Sequence, residues 1–431
     1  MWLTLADIHR LEIEDGALQT LPKQVSTELP SLESLSVAWT SVRALPPRLF
    51  QLQLSALHVP RNRIRSLDGI ERATNLRVLD VSYNVLEHLP DDVGELSCLE
   101  VLNIAGNSIE ELPADIGRLR RLTVLNCSHN RLMSLPSSLG NLAQLSTLVV
   151  GNNQLSSLPP SVGDLANLRD LRAQNNLLRA LPGTFGRLQR LASLLLCGNK
   201  FEHVPPQMSG LAALQTLNMR DNQVARVDRV AIPSLKYLVL DQNDLTDIGT
   251  VSCASLQLLS LKSNHLDHIT KDVSQLTSLR SLLLPNNPIT SVPVELSQLT
   301  RLIHLSLSST NIQTVPLAVA SLPNLHTLEL EDCTELDSSL KAAYKMRGRA
   351  GVKEYLEKRP HVESRADSKA AASDTDVRAN STRRQVRVLK TESIMPANPP
   401  VAAKPPAATK PQAAAKPQAA AKPQAAANTP N

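Results

Sequence analysis

The feature that most constrains this chain is a segment that returns every 21 to 23 residues. In one copy, apolar residues stand at Leu99, Leu102, Ile104 and Ile109, and an asparagine stands at Asn107. The same asparagine marks ten other copies, at Asn62, Asn84, Asn130, Asn153, Asn176, Asn199, Asn222, Asn243, Asn264 and Asn287, and Thr40, Thr310, Cys333 and more loosely Gly16 extend the series. One such unit cannot bury its leucines alone. We therefore predict a solenoid of about fifteen stacked coils over residues 1–336.

Each part of the repeated segment has a physical role. Leu102 and Ile104 alternate with polar residues, which is typical of a strand buried on one face, so stacked coils should form a parallel sheet. Asn107 follows the strand, where its amide can satisfy backbone groups of the turn and of the next coil. Pro113 suits the first position of a short helix on the convex side. A glycine recurs after it and is expected to let that segment turn back, at Gly94, Gly117, Gly140, Gly163 and Gly186.

Composition agrees with a repetitive aliphatic core, since aromatic residues make up only 2% of the chain and hydrophobic residues 42%. The charge is unevenly placed. Residues 359–431 hold 12 of the 45 Lys and Arg residues but only 5 of the 40 Asp and Glu residues. The body is therefore near neutral, whereas this tail carries a charge of +7.

The cysteines bear on whether the protein works in an oxidising or a reducing compartment. They are five in number and scattered, without the paired flanking clusters of secreted repeat proteins, so a reducing environment is the simpler interpretation. The N-terminus has no basic region, and its apolar run breaks at Asp7. No stretch of about 18 apolar residues could span a bilayer. We expect a cytoplasmic protein without membrane insertion.

A helical cap is predicted after the last coil, over residues 337–359. Asp337 offers N-cap chemistry, Gly348 and Gly351 interrupt the helical pattern, and an apolar stripe resumes at Val352. Such a cap would cover the open end of the core.

A different composition begins at residue 360 and continues to residue 431. The sequence Lys-Pro-Gln-Ala-Ala-Ala occurs three times in succession, starting at Lys410, Lys416 and Lys422. Recurrent proline breaks helices and few large apolar residues are present, so we predict a disordered basic tail. The plainer interpretation is a solvated spacer. The alternative is that spaced lysines touch a polyanion, weakly.

These residues resemble the leucine-rich-repeat family over roughly residues 8–336. The 23-residue form with Leu-Pro resembles the intracellular scaffolds of the Ras-binding and Scribble/Erbin type. The shorter coils around Asn62, Asn243 and Asn264 resemble repeats of phosphatase-regulating members. The resemblance implies an α/β solenoid, a horseshoe with a parallel concave sheet, and a protein partner from small-GTPase or phosphatase signalling.

Signatures of phosphate binding, zinc binding and acyl transfer are missing from the sequence, and the ten histidines are scattered. We therefore expect no enzyme activity, no cofactor and no metal.

One candidate binding cluster consists of Trp39, Arg61 and Tyr83, each of which directly precedes the marker residue of its coil. An arginine flanked by two aromatic residues can stack as a cation–π set. The set either ties the N-terminal coils together or binds a partner, since Trp, Tyr and Arg dominate interface hot spots.

A second candidate lies in the C-terminal half of the predicted concave face. Arg220, Asp241 and Lys262 stand at one position of successive coils, and further candidates nearby are Asp170, Arg172, Asp221 and Tyr237. Alternating signs suggest a self-satisfied surface ladder that adds little stability. The same face presents apolar groups beside these charges, as a partner surface requires, at Leu195, Val239, Leu258 and Leu283.

The leading hypothesis is a non-enzymatic scaffold or regulatory adaptor that holds a protein partner on the concave face. The alternative is a nucleic-acid or cytoskeleton binder that acts through its basic tail.

Overall fold

The computed structural model describes residues 7–14, 16–227 and 230–358. In this part of the chain, fifteen strands form one parallel sheet in which each strand pairs with the next along the chain. The predicted α/β solenoid is thereby confirmed. The strands are β1 (Arg10–Ile13), β2 (Ser34–Val37), β3 (Ala56–His58), β4 (Val78–Asp80), β5 (Val101–Asn103), β6 (Val124–Asn126), β7 (Thr147–Val149), β8 (Asp170–Arg172), β9 (Ser193–Leu195), β10 (Thr216–Asn218), β11 (Tyr237–Val239), β12 (Leu258–Ser260), β13 (Ser281–Leu283), β14 (His304–Ser306) and β15 (Thr327–Glu329). The predicted disordered tail, residues 360–431, lies outside the described residues.

The pairing register puts equivalent residues of successive coils side by side. Val101 pairs with Val124, and Leu102 pairs with Leu125. The middle residue of a strand, such as Leu102, is fully buried, while its two neighbours are partly exposed. One side of the sheet therefore forms the aliphatic core, and the other side faces solvent.

The turns that follow the strands are joined by the marker asparagines. The side chain of Asn153 accepts a hydrogen bond from the backbone N–H of Leu132 at 3.0 Å. It donates to the backbone oxygens of Cys127 and Val150, both at 3.0 Å. Leu132 and Cys127 belong to the preceding coil. The predicted asparagine ladder is present, but each amide reaches back one coil rather than forward.

The other side of most coils carries a short 3-10 helix. These helices are Pro47–Gln51, Ile70–Arg72, Asp91–Glu95, Ala114–Arg118, Ser137–Asn141, Pro160–Asp164, Gly183–Arg187, Pro206–Gly210, Lys271–Gln275 and Val294–Gln298. Two coils have a short α-helix instead, α1 (Gln24–Glu28) and α2 (Leu317–Ala320). Pro113 is the N-cap rather than the first helical residue, and its carbonyl accepts the first helical bond, from Ile116. The predicted start of this helix was therefore one residue too early.

The recurrent glycines serve close packing, not chain reversal. A Cβ atom built on Gly117 would lie 2.5 Å from the backbone oxygen of Ser138 in the next coil. A Cβ atom on Gly94 would lie 2.7 Å from the oxygen of Asp115. Neither glycine has the positive φ that a glycine-dependent reversal requires. These glycines are needed because adjacent 3-10 helices touch backbone to backbone, so our prediction of their role was wrong.

Two coils after β10 are shorter than the others, because Asn222, Asn243 and Asn264 are only 21 residues apart. Their described residues form isolated parallel bridges instead of a helix, and Arg226 bridges to Asp247. A shorter coil has no room for the 3-10 turn, so it closes with extended backbone.

The helix α3 (Ser338–Glu357) follows the last coil. Asp337 caps it by accepting hydrogen bonds from the backbone of Ser339 and Leu340. Its path is broken at Arg347 and Gly348, where φ of Gly348 is 55°. The predicted N-cap is present, and so is the predicted interruption at Gly348, but Gly351 lies within the helix and does not interrupt it.

An unforeseen arginine fastens α3 to the last coil. The guanidinium of Arg349 donates to the backbone oxygens of Ala320, Leu322 and Leu325. Val352 is fully buried beside it. A charged side chain thus satisfies carbonyl groups at the end of the solenoid.

Candidate partner-binding surfaces

Two sets of side chains face solvent in successive coils. We call the first and third residues of each strand the sheet face. We call the residue that directly precedes each marker residue the turn column, and each of its members in the described part has a positive φ.

Within the sheet face, Asp170 and Arg172 form an ion pair. Both belong to β8, and Arg172 Nη2 lies 2.8 Å from Asp170 Oδ2, with only 14% and 17% of the two side chains exposed. Their charges are therefore largely used within the strand.

Arg220, Asp241 and Lys262 do not lie within strands, in contrast to the prediction. Each stands two residues beyond the end of its strand, at the start of the turn. Asp241 is buried and accepts hydrogen bonds from Ser260 Oγ at 2.6 Å and from the backbone N–H of Lys262 at 2.9 Å. Arg220 Nε donates to Gln242 Oε1 at 2.8 Å. These hydrogen bonds help to order this column.

Burial raises the pKa of Asp241, although the hydrogen bonds from Ser260 and Lys262 and the positive charges of Lys262 and Arg220 act in the opposite direction. The carboxyl group is thus held in a site that favours its neutral form.

Apolar side chains lie on the sheet face in this same half. Tyr237 and Leu258 are register partners on β11 and β12 and are partly exposed. Val239 is nearly buried, and Leu195 and Leu283 are partly exposed. The structure therefore places Leu258 beside Tyr237. The other three apolar residues lie at the third position of β9, β11 and β13.

The last residue of several strands in both halves of the sheet face holds the turn that follows, as Asn218 does for Arg220. Asn103 Oδ1 accepts from the backbone N–H of Ala105 at 3.3 Å, and Asp80 Oδ1 accepts from Ser82 at 2.9 Å. Such side chains hold the turn two residues further on. We did not predict these side-chain bonds to the turn, because no repeating sequence pattern distinguishes a polar strand residue that makes one from a polar strand residue that faces solvent.

The turn column contains the predicted aromatic and arginine stack. The guanidinium carbon of Arg61 lies 4.1 Å from the ring centre of Trp39 and 4.5 Å from that of Tyr83. The cation–π contact is as predicted. Trp39 is 64% exposed and Tyr83 45%. The three residues lie at the edge of the sheet, beyond the strand ends, and not on its face.

The turn column continues past this stack. The ring of Tyr83 lies over Gly106, where an added Cβ would come within 2.6 Å of the ring. Further along, Asn175 Nδ2 donates to Asn152 Oδ1 at 2.8 Å. Asp221 is also a member of this column and is exposed. The residue just before each marker residue identifies this column in the sequence. Our prediction covered only the three coils of Trp39, Arg61 and Tyr83.

Within the described ranges, no three His, Cys, Asp or Glu side chains come together so that they could hold a metal ion. Across the same ranges, the helices are too short or too polar to span a bilayer.

Comparisons identify the repeats. A family model described as a leucine-rich repeat region matches residues 61–151, and one described as a leucine rich repeat matches residues 233–289 and 277–334. Among curated proteins, none matches the chain.

Solved structures share the fold. A leucine-rich-repeat protein of Leptospira interrogans is 27% identical with a TM-score of 0.66, over 80% of this chain and 95% of that one. The plant peptide hormone receptor RGFR1 in complex with RGF2 is 25% identical with a TM-score of 0.58, over 76% of this chain and 60% of that one. An internalin from Listeria monocytogenes is 20% identical with a TM-score of 0.58, over 77% of this chain and 86% of that one, and shows the fold alone. Proteins of this fold commonly bind other proteins on their extended surfaces.

Proposed function

We propose that this chain, a leucine-rich-repeat protein, is a non-enzymatic scaffold or adaptor whose protein partner docks on the C-terminal half of the sheet face. The observation that carries the proposal is the placement of Tyr237 beside Leu258, partly exposed, with Arg220 at the start of a neighbouring turn. Interface anchors are enriched in Tyr and Arg.

The geometry of this surface suits a protein ligand. Adjacent strands lie about 4.8 Å apart, so the strands from β9 to β13 present a continuous strip of roughly 19 Å. Their side chains stand on a backbone fixed by the asparagine ladder and by pairing on both sides. A rigid surface loses little conformational entropy on binding. Apolar groups that are held in place beside partly paired charges favour one specific partner over nonspecific association.

The kind of partner is proposed from two sources. Resemblance to Ras-binding and Scribble/Erbin-type scaffolds and to phosphatase-regulating members favours a small GTPase or a phosphatase as the partner. The receptor RGFR1, similar over 76% of this chain, was solved in complex with RGF2, which supports a polypeptide ligand for such a surface.

A cytoplasmic location is part of the proposal. Cys127 is fully buried, and burial raises the pKa of its thiol to about 12. Such a thiol serves as a small core residue and is poorly reactive. This supports a reducing compartment over a disulfide framework.

The test uses the full-length chain as bait, and the retained partner is then titrated against wild type and an Arg220→Ala/Tyr237→Ala variant. We expect the variant to lose about 2 kcal/mol of binding free energy, roughly thirtyfold in affinity. Its stability should change by about 1 kcal/mol or less, because both side chains face outward.

The matched control is Arg131→Ala/Leu177→Ala, which also removes one cation and one large exposed apolar side chain. Both residues directly follow a marker asparagine, away from the proposed surface. Equal affinities for wild type and the Arg220/Tyr237 variant would refute the proposal. Capture that survives removal of residues 1–336 and collapses with salt would support the polyanion alternative.

A further inference from the structure

A second surface lies at the other end of the solenoid, on the turns after β2, β3 and β4. Trp39, Arg61 and Tyr83 have φ values of 58°, 57° and 54°. Bulky side chains are uncommon in this left-handed region, where Gly and Asn are favoured. Later coils have Gly, Asn, Ser, Asp, His or Gln at the same position, and none of them has Trp, Tyr or Arg there. Three consecutive coils thus accept backbone strain to expose an aromatic, a cation and an aromatic side chain.

The stack leaves one part of Arg61 available. Trp39 and Tyr83 lie against the two sides of its guanidinium, at 4.1 and 4.5 Å. The N–H donors of a guanidinium point outward in its plane, so stacking does not consume them. Stacking instead fixes the plane in advance. A fixed guanidinium edge matches a carboxylate, which it can bind through two parallel hydrogen bonds.

Three more arginines surround the stack. Arg63 directly follows the marker Asn62, and Arg43 and Arg65 each stand three residues after their marker. All three are exposed. Among the residues that the structure describes, no ion pair involves any of them. This end of the chain therefore presents concentrated positive charge that its own described side chains do not neutralise.

We propose that this basic–aromatic patch, formed by Trp39, Arg43, Arg61, Arg63, Arg65 and Tyr83, binds an acidic peptide segment of a protein partner. The acidic side chains pair with the arginines. Val85, which is 42% exposed in the same column as Arg63, offers a contact for a neighbouring apolar side chain of the segment. The surface uses other coils than the sheet-face site, so it does not depend on that proposal.

The structure favours an acidic peptide over a nucleic acid for two reasons. A nucleic-acid strand binds such patches by stacking successive bases on several ring faces. Tyr83 has Arg61 on one face and Gly106 beneath the other, so Trp39, which is 64% exposed, could stack at most one base. Exposed carboxylates border the patch, at Glu87 in the coil of Tyr83 itself and at Glu110 in the next coil. A long polyanion that followed the edge would meet like charge there, whereas a short segment would not.

The test selects ligands without assuming a partner. Random peptides displayed on phage are selected on the full-length protein, and enriched peptides are titrated by fluorescence anisotropy. We expect enriched peptides with several Asp or Glu residues beside a large apolar residue. Arg61→Gln should weaken their binding about tenfold or more, since hydrogen bonds to a charged partner are lost. Arg63→Gln, which leaves the stack intact, should weaken it less.

The matched control is Arg131→Gln, because Arg131 follows its marker asparagine as Arg63 does. It should bind the peptides like wild type, and circular dichroism should show all variants folded. Selection that yields no peptides, or peptides without acidic residues, would overturn the proposal. So would equal binding to wild type and Arg61→Gln, or tighter binding of a single-stranded oligothymidylate that is also lost in Arg61→Gln.

Discussion

Two neighbouring positions in each turn differ in what they do. The marker asparagine points inward, is buried or nearly so, and makes the same hydrogen bonds in coil after coil, as Asn153 and Asn176 illustrate. The residue just before it points outward at the same backbone φ and is a tryptophan, an arginine, a glycine or an aspartate in different coils. One position holds the coils together, and the other is free to vary.

This difference separates fold from function in the molecule. Inward groups have a fixed number of backbone partners, and replacing one leaves buried polar groups unsatisfied. Outward groups have water as an alternative partner, so their replacement costs little stability. Residues that bind a partner should therefore be sought where the coils differ, on the turn column and the sheet face.

The largest effect is expected inside the ladder, for Asn153→Leu. The variant leaves the N–H of Leu132 and the oxygen of Cys127 without their side-chain partner. We expect a loss of about 2 to 5 kcal/mol in the free energy of unfolding, since each buried unsatisfied group costs about 1 to 3 kcal/mol. Hydrogen exchange should quicken over residues 130–176.

The adjacent substitution Asn152→Gly sharpens the comparison. Asn152 has a φ of 56° and a partly exposed side chain that bonds only to His129 and Asn175 of its own column, so glycine removes strain and leaves no buried group unsatisfied. We expect a change within about 0.5 kcal/mol. If Asn152→Gly were as damaging as Asn153→Leu, the separation of the two positions would fail.

A smaller loss is expected on the helix side, for Gly117→Ala. The new methyl group would meet Ser138 of the next coil at 2.5 Å, which requires the two 3-10 helices to move apart. We expect about 1 to 3 kcal/mol of destabilisation, measured by urea unfolding. Gly183→Ala is the control, because a Cβ there has no neighbour within 4 Å. Equal losses of unfolding free energy in Gly117→Ala and Gly183→Ala would favour a conformational role for both glycines.

Asp241 breaks the pattern, because it is a buried carboxyl group beside the turn column. Its pKa is raised by burial, so the folded chain holds this proton more tightly than the unfolded chain. Its contribution to stability is therefore lost as pH rises from the ordinary Asp pKa through the raised value. Asp241→Asn can still accept from Ser260 and Lys262.

We expect Asp241→Asn to match wild type in stability at acid pH and to be more stable than wild type at neutral pH, where the buried carboxyl group has lost its proton. Urea unfolding of both proteins across this pH range measures the difference. An advantage of the variant that grew as pH fell would show that the carboxylate is stabilised by its partners.

No effect on stability is expected from ending the chain at residue 359. The tail has few large apolar residues to bury, so the thermal unfolding midpoint should stay unchanged. A lower midpoint in the shortened chain would show that the tail stabilises the solenoid.

Sequence alone predicted the fold because the repeat encodes it many times over. Asn107 and its equivalents fixed the coil boundaries, and the alternation at Leu102 and Ile104 fixed the sheet. The role of Gly117 could not be read from the sequence, because it depends on the distance between two coils. Nor could the fixing of α3 by Arg349, since contacts far apart in the chain leave no periodic signal.

The binding residues were predicted less well for the same reason. The stack of Trp39, Arg61 and Tyr83 follows from register, since successive coils place equal positions side by side. The environment of Asp241 depends on burial and on Ser260 in the next coil, which residue type does not reveal. Variation of residue type between coils indicates where a partner could bind. It does not show which side chains are already hydrogen-bonded within the protein.

The most direct test of the central claim is hydroxyl-radical footprinting of the full-length chain with and without its captured partner. We predict that Tyr237 and Leu258 on the sheet face lose reactivity in the complex. Met133, Val294 and Met346, which are exposed elsewhere, should keep theirs. Unchanged reactivity at Tyr237 and Leu258, with protection of Met133 or Val294 instead, would contradict the account.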